Sequence, residues 1–503
     1  MENAKLHTAV FLNKPNLSIC LQFLQLCDSP QPSSMLPTRL VPRYLIGLVA
    51  ISSLILMGAS SLRHALLQSG ALDLAVFDQW IYLLSQGLPP ISSFLGFHVL
   101  GDHAAFILYP ISLLYRLYPD IHWLLLIQAF ALAMGAVPIY ALSRQSGLSR
   151  LEGRTLALCY VLYPAVFNIN FYADFRPEAI AVPAILWAMW AGIAKKTVQL
   201  VFAVALVLSC KEILSLTVIA LGLWFWLSER RQVYGWWCVA AGTIWFTFTI
   251  GYLIPLLRNG NPGGLGFYSY LGDSFSEVVL NAVTNPGLIA GRVFLPDRLF
   301  YYLLLIAPVI LGLHWRQIGV MIPALPMLLL NALSDYAAQR DLIHHYSLPI
   351  FPFVLVWLVR SLASYRKRQQ RQWLKPRWLV LWAIIAFLAL GKYEYFFTRY
   401  LSHSSNLPSV YQGIALTSSS TSVLTAAHLC PHLSHRPIIH QFLDTPFTPT
   451  QLNQYSSVLL DIQHPGQQVS LERVTALKQR LKTLSEFRLT YSQNEVFLFE
   501  KRL

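Results

Sequence analysis

Two aspartates, Asp73 and Asp78, follow the first long apolar stretch of the sequence and are its first candidates for acid–base chemistry. Five residues turn through about 500° of an α-helix, which leaves the two carboxylates roughly 140° apart, so they do not share a helical face. If Asp73 precedes the helix, it can be an N-cap that accepts from backbone N–H groups. It is equally well placed to act on a substrate as a general base. The spacing leaves both roles open.

Asp102 and His103 place a carboxylate next to an imidazole, a group that titrates near neutral pH. This pair suits phosphate binding or proton transfer, and simple anchoring at the membrane interface is the alternative. Two adjacent ligands are a weak signal for a metal site without a third.

Three further charged clusters lie between apolar stretches. Asp174, Arg176 and Glu178 share one tight loop, where a mutual salt bridge that fixes the turn competes with a functional role. Lys211 and Glu212 form either a self-neutralising pair or a site whose ammonium holds a phosphate as a point charge.

The third cluster is Arg340 with His344 and His345, a planar donor and two imidazoles that suit a phosphate. Contact with a lipid headgroup is the alternative for these side chains.

Histidines also recur near the C-terminus, at His428, His432, His435 and His440. Prolines interrupt any helical arrangement of these four, so we interpret them as unrelated surface histidines rather than a metal site. The sequence contains no phosphate-binding loop, dinucleotide fingerprint, HExxH or GxSxG motif, which argues against ATP-driven, zincin and serine-hydrolase chemistry.

The composition indicates that these clusters belong to an integral membrane protein. Of 503 residues, 55% are hydrophobic and 12% are charged, with a mean hydropathy of +0.50, whereas a soluble domain is about 25% charged. The net charge of +14 comes from short basic clusters between apolar runs, which is typical of membrane orientation and not of a nucleic-acid-binding face. The six cysteines contain no CxxC pair and predict no disulfide framework.

Eleven apolar stretches predict helices that cross the bilayer, a task that needs about 20 residues, with a range of about 17–25. Their approximate bounds are 44–61, 121–142, 155–171, 178–194, 197–210, 212–228, 235–256, 299–314, 317–333, 346–363 and 377–393. We therefore predict an all-α polytopic membrane domain over residues 44–393, preceded by a cytoplasmic tail, residues 1–43, that has no signal-peptide pattern. The stretch 197–210 is the weakest, because Lys211 and Glu212 interrupt it.

Basic residues in the short loops place the N-terminus inside the cell. With that orientation nearly every acidic or histidine-bearing loop in the first 360 residues faces outward, which predicts one site on the outer side. In the first outer loop, 74–86 and 104–117 are predicted to be interfacial helices, with a third amphipathic stretch around 274–290.

The composition changes at about residue 394, where Ser, Thr, His and Gln rise and the long apolar runs stop. Residues 456–462 predict a strand, 469–484 a helix, and 487–491 with 495–500 a hairpin. We predict a small α/β domain over residues 394–503, outside the membrane because the number of spans is odd.

Several segments resemble a family of bacterial predicted membrane proteins known as domain of unknown function 2079. They are DLAVFDQWIYLLSQG, GDHAAFILYPISLLYRLYP, YPAVFNINFYADFRPEAIAVPAILWA, CKEILSL and QRDLIHHYSLPIFPF, with CPHLSHRPIIHQF and SSVLLDI near the C-terminus. The resemblance covers residues 44–363 and the C-terminal part.

That family is distantly similar to the GT-C glycosyltransferases, multi-pass enzymes that take a sugar from a polyprenyl-phosphate donor outside the cytoplasmic membrane. The resemblance implies a GT-C-like arrangement with an essential acid after the first span, a position that Asp73 matches, although Leu74 replaces the usual second acid. It implies a short motif that opens the second interfacial helix, a place that Asp102 and His103 occupy without the usual proline pair.

The resemblance also implies a late arginine followed by a Tyr-x-x-Pro-x-x-Pro pattern. Arg340 and the stretch from Tyr346 to Pro352 match it.

These observations lead us to expect a glycosyltransferase of the bacterial cytoplasmic (inner) membrane, with a polyprenyl-phosphate sugar donor and a glycan, lipid or protein acceptor. Asp73 is the expected general base, and Asp78 orients or replaces it. The expected substrate-binding residues are Asp102, His103, Asp174, Arg176, Glu178, Lys211, Glu212, Arg340, His344, His345 and Tyr346. No cofactor is identified, and a divalent cation held by Asp174 and Glu178 is the one candidate.

Two other functions fit the composition. A transporter or flippase would place charges near the bilayer midplane and contain related halves. A sensor or scaffold would use the C-terminal domain to bind a ligand and would need no catalytic residue.

Overall fold

The protein is mostly helical over the part of the chain that the structure describes. In the computed structural model these residues are 42–258, 260, 263–445, 447–466 and 469–502, so almost all of the predicted N-terminal tail lies outside them. The first α-helices are Arg43–Ala65, Val76–Ser85, Val99–Asp102, Leu108–Leu117, His122–Met134, Ala136–Gln145, Arg150–Val161, Pro164–Tyr172, Glu178–Ile193, Thr197–Cys210 and Leu214–Leu227. Those that follow are Gln232–Phe248, Ile254–Arg258, Phe275–Thr284, Pro286–Val293, Pro296–Ile306, Leu325–Leu333, Phe351–Lys367 and Pro376–Leu390.

Shorter helical turns connect these elements. The 3₁₀ segments are Leu265–Leu271, Ala307–Gly312, Trp315–Ala324, Ala337–Arg340, His345–Ser347, Tyr393–Phe396, Arg399–Leu401 and Cys430–His432. Two π-helical turns, Ala71–Ala75 and Thr249–Leu253, continue directly into α-helices.

Five helical stretches in the described part of the chain are long and apolar enough to cross a bilayer on their own. They are Arg43–Ala65, His122–Gln145, Arg150–Tyr172, Gln232–Arg258 and Trp315–Leu333. The number rises to seven if two bent pairs, Pro286–Val293 with Pro296–Gly312 and Pro376–Leu390 with Tyr393–Leu401, are each one span. Helices Glu178–Ile193, Thr197–Cys210 and Leu214–Leu227 are apolar but shorter, so the predicted number of eleven spans is not confirmed.

Helices Leu214–Leu227 and Gln232–Phe248 form a hairpin in which two glycines meet. A side-chain carbon on Gly222 would lie 2.6 Å from the carbonyl oxygen of Gly235, and one on Gly235 would lie 2.9 Å from that of Gly222. Small residues that let backbones approach are the usual means of packing helices in membranes. Because this hairpin begins directly after Lys211 and Glu212, its close packing fixes where those two charges lie.

Two of the predicted surface helices differ from expectation. Asp102 and His103 were expected to open the helix at 104–117, but that prediction is wrong, because Asp102 ends the short helix Val99–Asp102 and the next helix starts only at Leu108. The stretch 274–290 is broken at Pro286, which lacks the N–H that a continuous helix needs and instead begins the next helix.

The C-terminal part contains a five-stranded mixed sheet. Its strands are β1 (Val423–Thr425), β2 (Ile439–Gln441), β3 (Ser457–Asp461), β4 (Phe487–Gln493) and β5 (Val496–Lys501), in the spatial order β2-β1-β3-β5-β4. Strand β1 runs parallel to β2 and β3, whereas β5 is antiparallel to both of its neighbours. Helices Leu407–Leu416, Pro449–Leu452 and Leu471–Thr483 accompany the sheet.

The predicted strand at 456–462, the helix at 469–484 and the hairpin are confirmed. Strands β1 and β2 were not predicted, because each has three residues and β1 is buried on both faces. Such a short apolar run carries no alternation from which a strand can be read. The domain boundary at residue 394 stays a prediction.

Candidate functional site

The turn that carries Asp73 is held between two hydrophobic cores. Ala71 and Ala75 pack into the core beneath the C-terminal sheet, while Leu74 packs among the helices of the first loop. The Asp73 side chain itself remains 41% exposed. A carboxylate on a backbone fixed from both sides, yet open to solvent, is suited to act on a substrate.

Asp73 is not a helix cap. Gly70 is the N-cap of the π-helical turn, and neither it nor the cap of helix Val76–Ser85 makes a side-chain capping bond. Instead, the Asp73 carboxylate accepts a hydrogen bond from the Arg176 guanidinium. The capping alternative for Asp73 is therefore wrong, and the carboxylate lies beside a cation from a distant loop.

The loop at 173–177 uses its charges to join separate helices. The buried Asp174 carboxylate accepts from Arg63 at the end of the first helix, from the Ser69 hydroxyl at 3.0 Å and from the Gly70 N–H at 3.1 Å. The backbone N–H of Arg176 donates to the Gln128 side chain at 2.8 Å. A mutual salt bridge within this loop was one prediction, and it is wrong because these charges pair with other elements.

Glu178 and Lys211 form a second buried ion pair of the site, beside that of Arg63 and Asp174. Lys211 Nζ lies 2.6 Å from Glu178 Oε1, with the side chains only 12% and 6% exposed. His345 Nε2 lies 3.9 Å from the same oxygen, and the Tyr346 ring packs on the His345 ring with 4.1 Å between centroids. Segments at 178, 211 and 345 therefore meet at one place.

Glu212 points away from Lys211. Its carboxylate accepts from the Ala104 N–H at 3.2 Å and lies 3.2 Å from His103 Nδ1. The self-neutralising pair was predicted from adjacency alone and is wrong, because Lys211 has extended backbone angles and successive side chains of an extended chain point in opposite directions.

The two histidines of the site have opposite charge preferences. Burial lowers the pKa of His103, but the carboxylates of Asp102 and Glu212 outweigh it and hold the pKa above its ordinary value. Burial lowers the pKa of His345 well below its ordinary value, and the nearby Arg176 adds to the effect. The two carboxylates thus favour the charged form of His103, whereas burial favours the neutral form of His345.

Arg340, His344 and His345 do not form the single phosphate cradle that their spacing suggested. Arg340 Nε donates to Asp297 at 3.1 Å, His344 Nδ1 lies 2.7 Å from Asp341, and only His345 reaches Glu178. The short 3₁₀ turns on either side of Asp341 direct these side chains to different partners. Their roles in binding substrate stay predictions.

Two arginines of the site were missed from the sequence. Arg63 bonds Asp174, and Arg258 Nη1 lies 3.3 Å from Asp102 Oδ1 while its guanidinium stacks 4.4 Å from the Phe97 ring centroid. Each ends a helix, and cations favour helix C-termini, so that position was the available signal. Within the described ranges, no group of three or more His, Cys, Asp or Glu side chains could hold a metal ion.

Asp78 joins the first loop to the C-terminal sheet. Its carboxylate is fully buried and accepts from the Tyr115 hydroxyl at 2.6 Å and the Ser434 hydroxyl at 2.5 Å, with His435 Nε2 at 3.0 Å. The next residue, Gln79, donates to the Arg436 carbonyl at 3.0 Å. Asp78 makes no hydrogen bond to Asp73, and its catalytic role stays a prediction.

The C-terminal histidines are not unrelated surface residues, and that prediction is wrong. His428 is buried with its Nε2 3.8 Å from Asp461, and the His432 ring stacks on His64 of the first helix at 4.1 Å. Together with His435 on Asp78, they line the contact between the first loop and the C-terminal sheet. We call this contact the histidine seam.

Acidification is expected to open the histidine seam. His403 also belongs to this seam, because its Nδ1 lies 3.2 Å from the Leu67 carbonyl oxygen and its ring lies beside that of His428. Burial lowers the pKa of His403 and of His432 to about 4, and the neighbouring imidazole of His428 strengthens the effect on both. Both rings are neutral in the docked state and bind protons once released, so the stability of docking is lost as pH falls from about 6.5 to about 4. Amide hydrogen exchange in the histidine seam, followed over the same pH range, measures this loss of docking. Protection of these amides that does not change with pH would contradict the expectation.

Asp78→Asn is expected to weaken the same contact by about 1–3 kcal/mol, because buried donors lose their charged acceptor. Burial lowers the pKa of His435, but Asp78 outweighs it and raises the pKa, so this pair stabilises docking at low pH and is lost as pH rises through the raised value. Limited proteolysis at residues 394–406 reports docking. Asp335→Asn, on an exposed aspartate that bonds Arg292 outside this contact, is the control.

Unchanged proteolysis of Asp78→Asn with a large loss of activity would indicate that Asp78 acts on the substrate. Equal sensitivity in Asp335→Asn would remove the assignment of Asp78 to docking.

The fold is similar to that of a solved bacterial protein, ArnT. ArnT from Cupriavidus metallidurans bound to undecaprenyl phosphate matches with a TM-score of 0.52 at 12% identity, over 91% of this chain and 97% of that chain. Its apo state matches with a TM-score of 0.50 at 11% identity over the same shares, 91% and 97%. The oligosaccharyltransferase AglB from Archaeoglobus fulgidus, in complex with an inhibitory peptide and a dolichol-phosphate, gives 0.41 at 12% identity over 84% and 69%. At these identities the likeness shows the fold alone.

No curated protein matches the chain. The family model of predicted membrane proteins named DUF2079 matches residues 63–498, a range that includes Arg63, the Asp73 turn, every ion pair of the candidate site and all but the last three residues of the C-terminal sheet. The chain therefore belongs to the DUF2079 family of predicted membrane proteins.

Proposed function

We propose that the protein is a membrane glycosyltransferase that transfers a sugar from a polyprenyl-phosphate-linked donor to an acceptor outside the cytoplasm. The observation that carries this proposal is the exposed Asp73 carboxylate, rigidly held beside cations that come from distant parts of the chain. The likeness in fold to ArnT, whose structure holds undecaprenyl phosphate, supports the same class of donor.

Asp73 acts as the general base in this proposal. It removes the proton of an acceptor hydroxyl as the hydroxyl oxygen attacks the anomeric carbon of the donor sugar. The bond between that carbon and the phosphate oxygen breaks, and the electron pair leaves with the polyprenyl phosphate. The configuration at the anomeric carbon inverts. General-base catalysis of this kind accelerates a reaction about 10²–10⁴-fold.

The leaving phosphate needs positive charge that is already in place. Arg176 adjoins Asp73, Lys211 is fixed by Glu178, and His103 lies beside two carboxylates that raise its pKa. Donors set in advance where charge develops are usually the largest single contribution to catalysis. We assign these three residues to the phosphate, together with Arg340, which bonds Asp297 at the start of helix Pro296–Ile306.

Asp174 and Glu178 have a different assignment from the one their types suggested. Asp174 is already bonded to Arg63, Ser69 and the Gly70 N–H, and Glu178 to Lys211. We propose that they hold the loop and the lysine in position. A divalent cation would have to displace these partners.

The location of the protein and the class of its acceptor follow from the same proposal. The protein would lie in the bacterial cytoplasmic membrane with its N-terminus inside and the C-terminal sheet outside, and the acceptor would be a glycan, a lipid or a protein. The outward site is reached from the periplasmic or external leaflet in this arrangement.

Transfer is measured with the full chain reconstituted in lipid vesicles. A panel of polyprenyl-phosphate donors carries radiolabelled sugars, and cell-envelope extract supplies the acceptors. Label that moves from the lipid to an acceptor fraction supports the proposal. Label that crosses the bilayer on unmodified donor would instead establish a flippase, and label that stays in place with every donor would contradict transfer.

A further inference from the structure

An apolar groove lies far along the chain from the Asp73 turn. Its volume is about 200 Å³. Leu311 of the 3₁₀ segment Ala307–Gly312 forms one wall, and helix Pro376–Leu390 forms the other. The groove is lined by Leu311, Trp373, Trp378, Leu381, Trp382 and Ile385.

Polar bonds behind the groove join its two walls. The indole N–H of Trp382 donates to the Ala307 carbonyl at 2.8 Å, and Arg371 Nη1 donates to the Leu311 carbonyl at 3.0 Å. The walls are therefore fixed relative to each other, while Trp373 and Trp378 leave much of their surface exposed. The groove is therefore preformed, apolar inside and open along its length.

Positive charge borders the same groove. Residues 366–377 contain six basic side chains and no acidic one. Arg366 bonds Glu152, whereas the others are exposed and form no salt bridge with any residue that the structure describes. Those others are Lys367, Arg368, Arg371, Lys375 and Arg377.

Two of these cations touch the groove directly. Arg371 bonds the wall residue Leu311, and the Arg377 guanidinium lies 5.1 Å from the ring centroid of Trp378. Tryptophan marks the level of lipid headgroups, and basic clusters next to a span attract anionic lipids. The apolar groove therefore suits the acyl chain of a lipid, and the cations beside it suit an anionic headgroup.

We propose that this groove binds one anionic phospholipid of the membrane, with an acyl chain against the tryptophans and the headgroup phosphate between Arg371 and Arg377. Loop 366–377 lies on the side that the basic residues predict to be cytoplasmic, opposite the proposed catalytic site. The bound lipid would link helix Pro376–Leu390 to the segment Ala307–Gly312. This proposal is independent of sugar transfer.

The test compares lipid retention by the full chain in detergent. The protein is equilibrated with equal amounts of phosphatidylglycerol and phosphatidylcholine, and the retained lipid is counted by native mass spectrometry. We expect one phosphatidylglycerol to be retained in preference. Arg371→Gln with Arg377→Gln should weaken its retention by about 30-fold, from two lost lipid-facing charges.

Lys195→Gln with Lys196→Gln is the matched control, because both lysines are exposed and basic but lie outside the groove. A second variant, Trp378→Ala, removes the apolar wall and keeps every charge, and it should also release the lipid. Equal retention of the two lipids by the native protein would overturn the proposal. So would unchanged retention in the Arg371 and Arg377 double variant, or an equal loss in the lysine control.

Discussion

Asp73→Asn is expected to slow sugar transfer by about 10²–10⁴-fold, because the amide cannot take the proton of the acceptor hydroxyl. The fold should survive, since the Asp73 side chain is 41% exposed and the turn is held by buried alanines on either side of it. Transfer of labelled sugar in vesicles, at saturating donor, measures the rate. Thermal unfolding of the purified variant shows that the loss is chemical.

Asp335→Asn is the matched control for this substitution. Asp335 is 48% exposed and bonds Arg292 at 2.5 Å, so it resembles Asp73 in exposure and in having an arginine partner. It lies outside the ion pairs of the candidate site, and its variant should transfer sugar at the native rate. Normal transfer by Asp73→Asn, or an equal loss in Asp335→Asn, would remove Asp73 as the base.

Lys211→Met is expected to destabilise the protein by about 3–5 kcal/mol and to abolish transfer. The substitution leaves the buried Glu178 carboxylate without its partner, and an uncompensated buried charge is the costly outcome. Thermal unfolding in detergent measures the first effect and the vesicle assay the second.

The double variant Lys211→Met with Glu178→Met separates the two effects. Replacing both members of a buried ion pair by apolar side chains is often neutral for stability. We therefore expect stability to return while transfer stays lost, because the cation for the leaving phosphate is still missing. Recovery of both would show that the pair is structural only, and recovery of neither would show that the lysine has other partners in the fold.

The sequence predicted most of the helices because their signal is local. Each apolar stretch from residue 44 to 393 contains helix in the structure, and the hairpin near the C-terminus appears at its predicted residues. The number of spans could not be obtained in this way, because hydropathy does not show where a helix bends. Pro286 breaks one predicted helix, and the stretch after Pro376 bends near residue 391.

The candidate residues were predicted better than their partners. Asp73, Glu178 and Lys211 were selected by type and position, yet each pairs with a residue that the sequence did not assign to it. Lys211 bonds a residue 33 positions away, and Asp174 bonds one 111 positions away. Adjacency in the sequence suggested the wrong pairs. A buried charge is costly, so each one is paired with an opposite charge from another packed helix.

The histidine seam shows a second limit of the sequence. His432 and His435 stand next to prolines or in short irregular segments, so no periodicity marks them as buried. They are partly covered because the C-terminal sheet packs on Leu67 and Ala71 of the first loop, a contact between segments more than 300 residues apart. Only the folded chain reveals that contact.

The claim on which the proposed function depends is that these distant side chains face one compartment outside the cytosol. Single cysteines tested with a membrane-impermeant thiol reagent on intact cells measure it, in a background without the six native cysteines. Leu72→Cys beside Asp73 and Tyr336→Cys near Arg340 are exposed reporters of the site, and Lys195→Cys and Trp373→Cys report the opposite side. We predict that the first two react in intact cells and the last two only after permeabilisation. Reaction of Leu72→Cys and Tyr336→Cys from opposite faces would contradict a single active site.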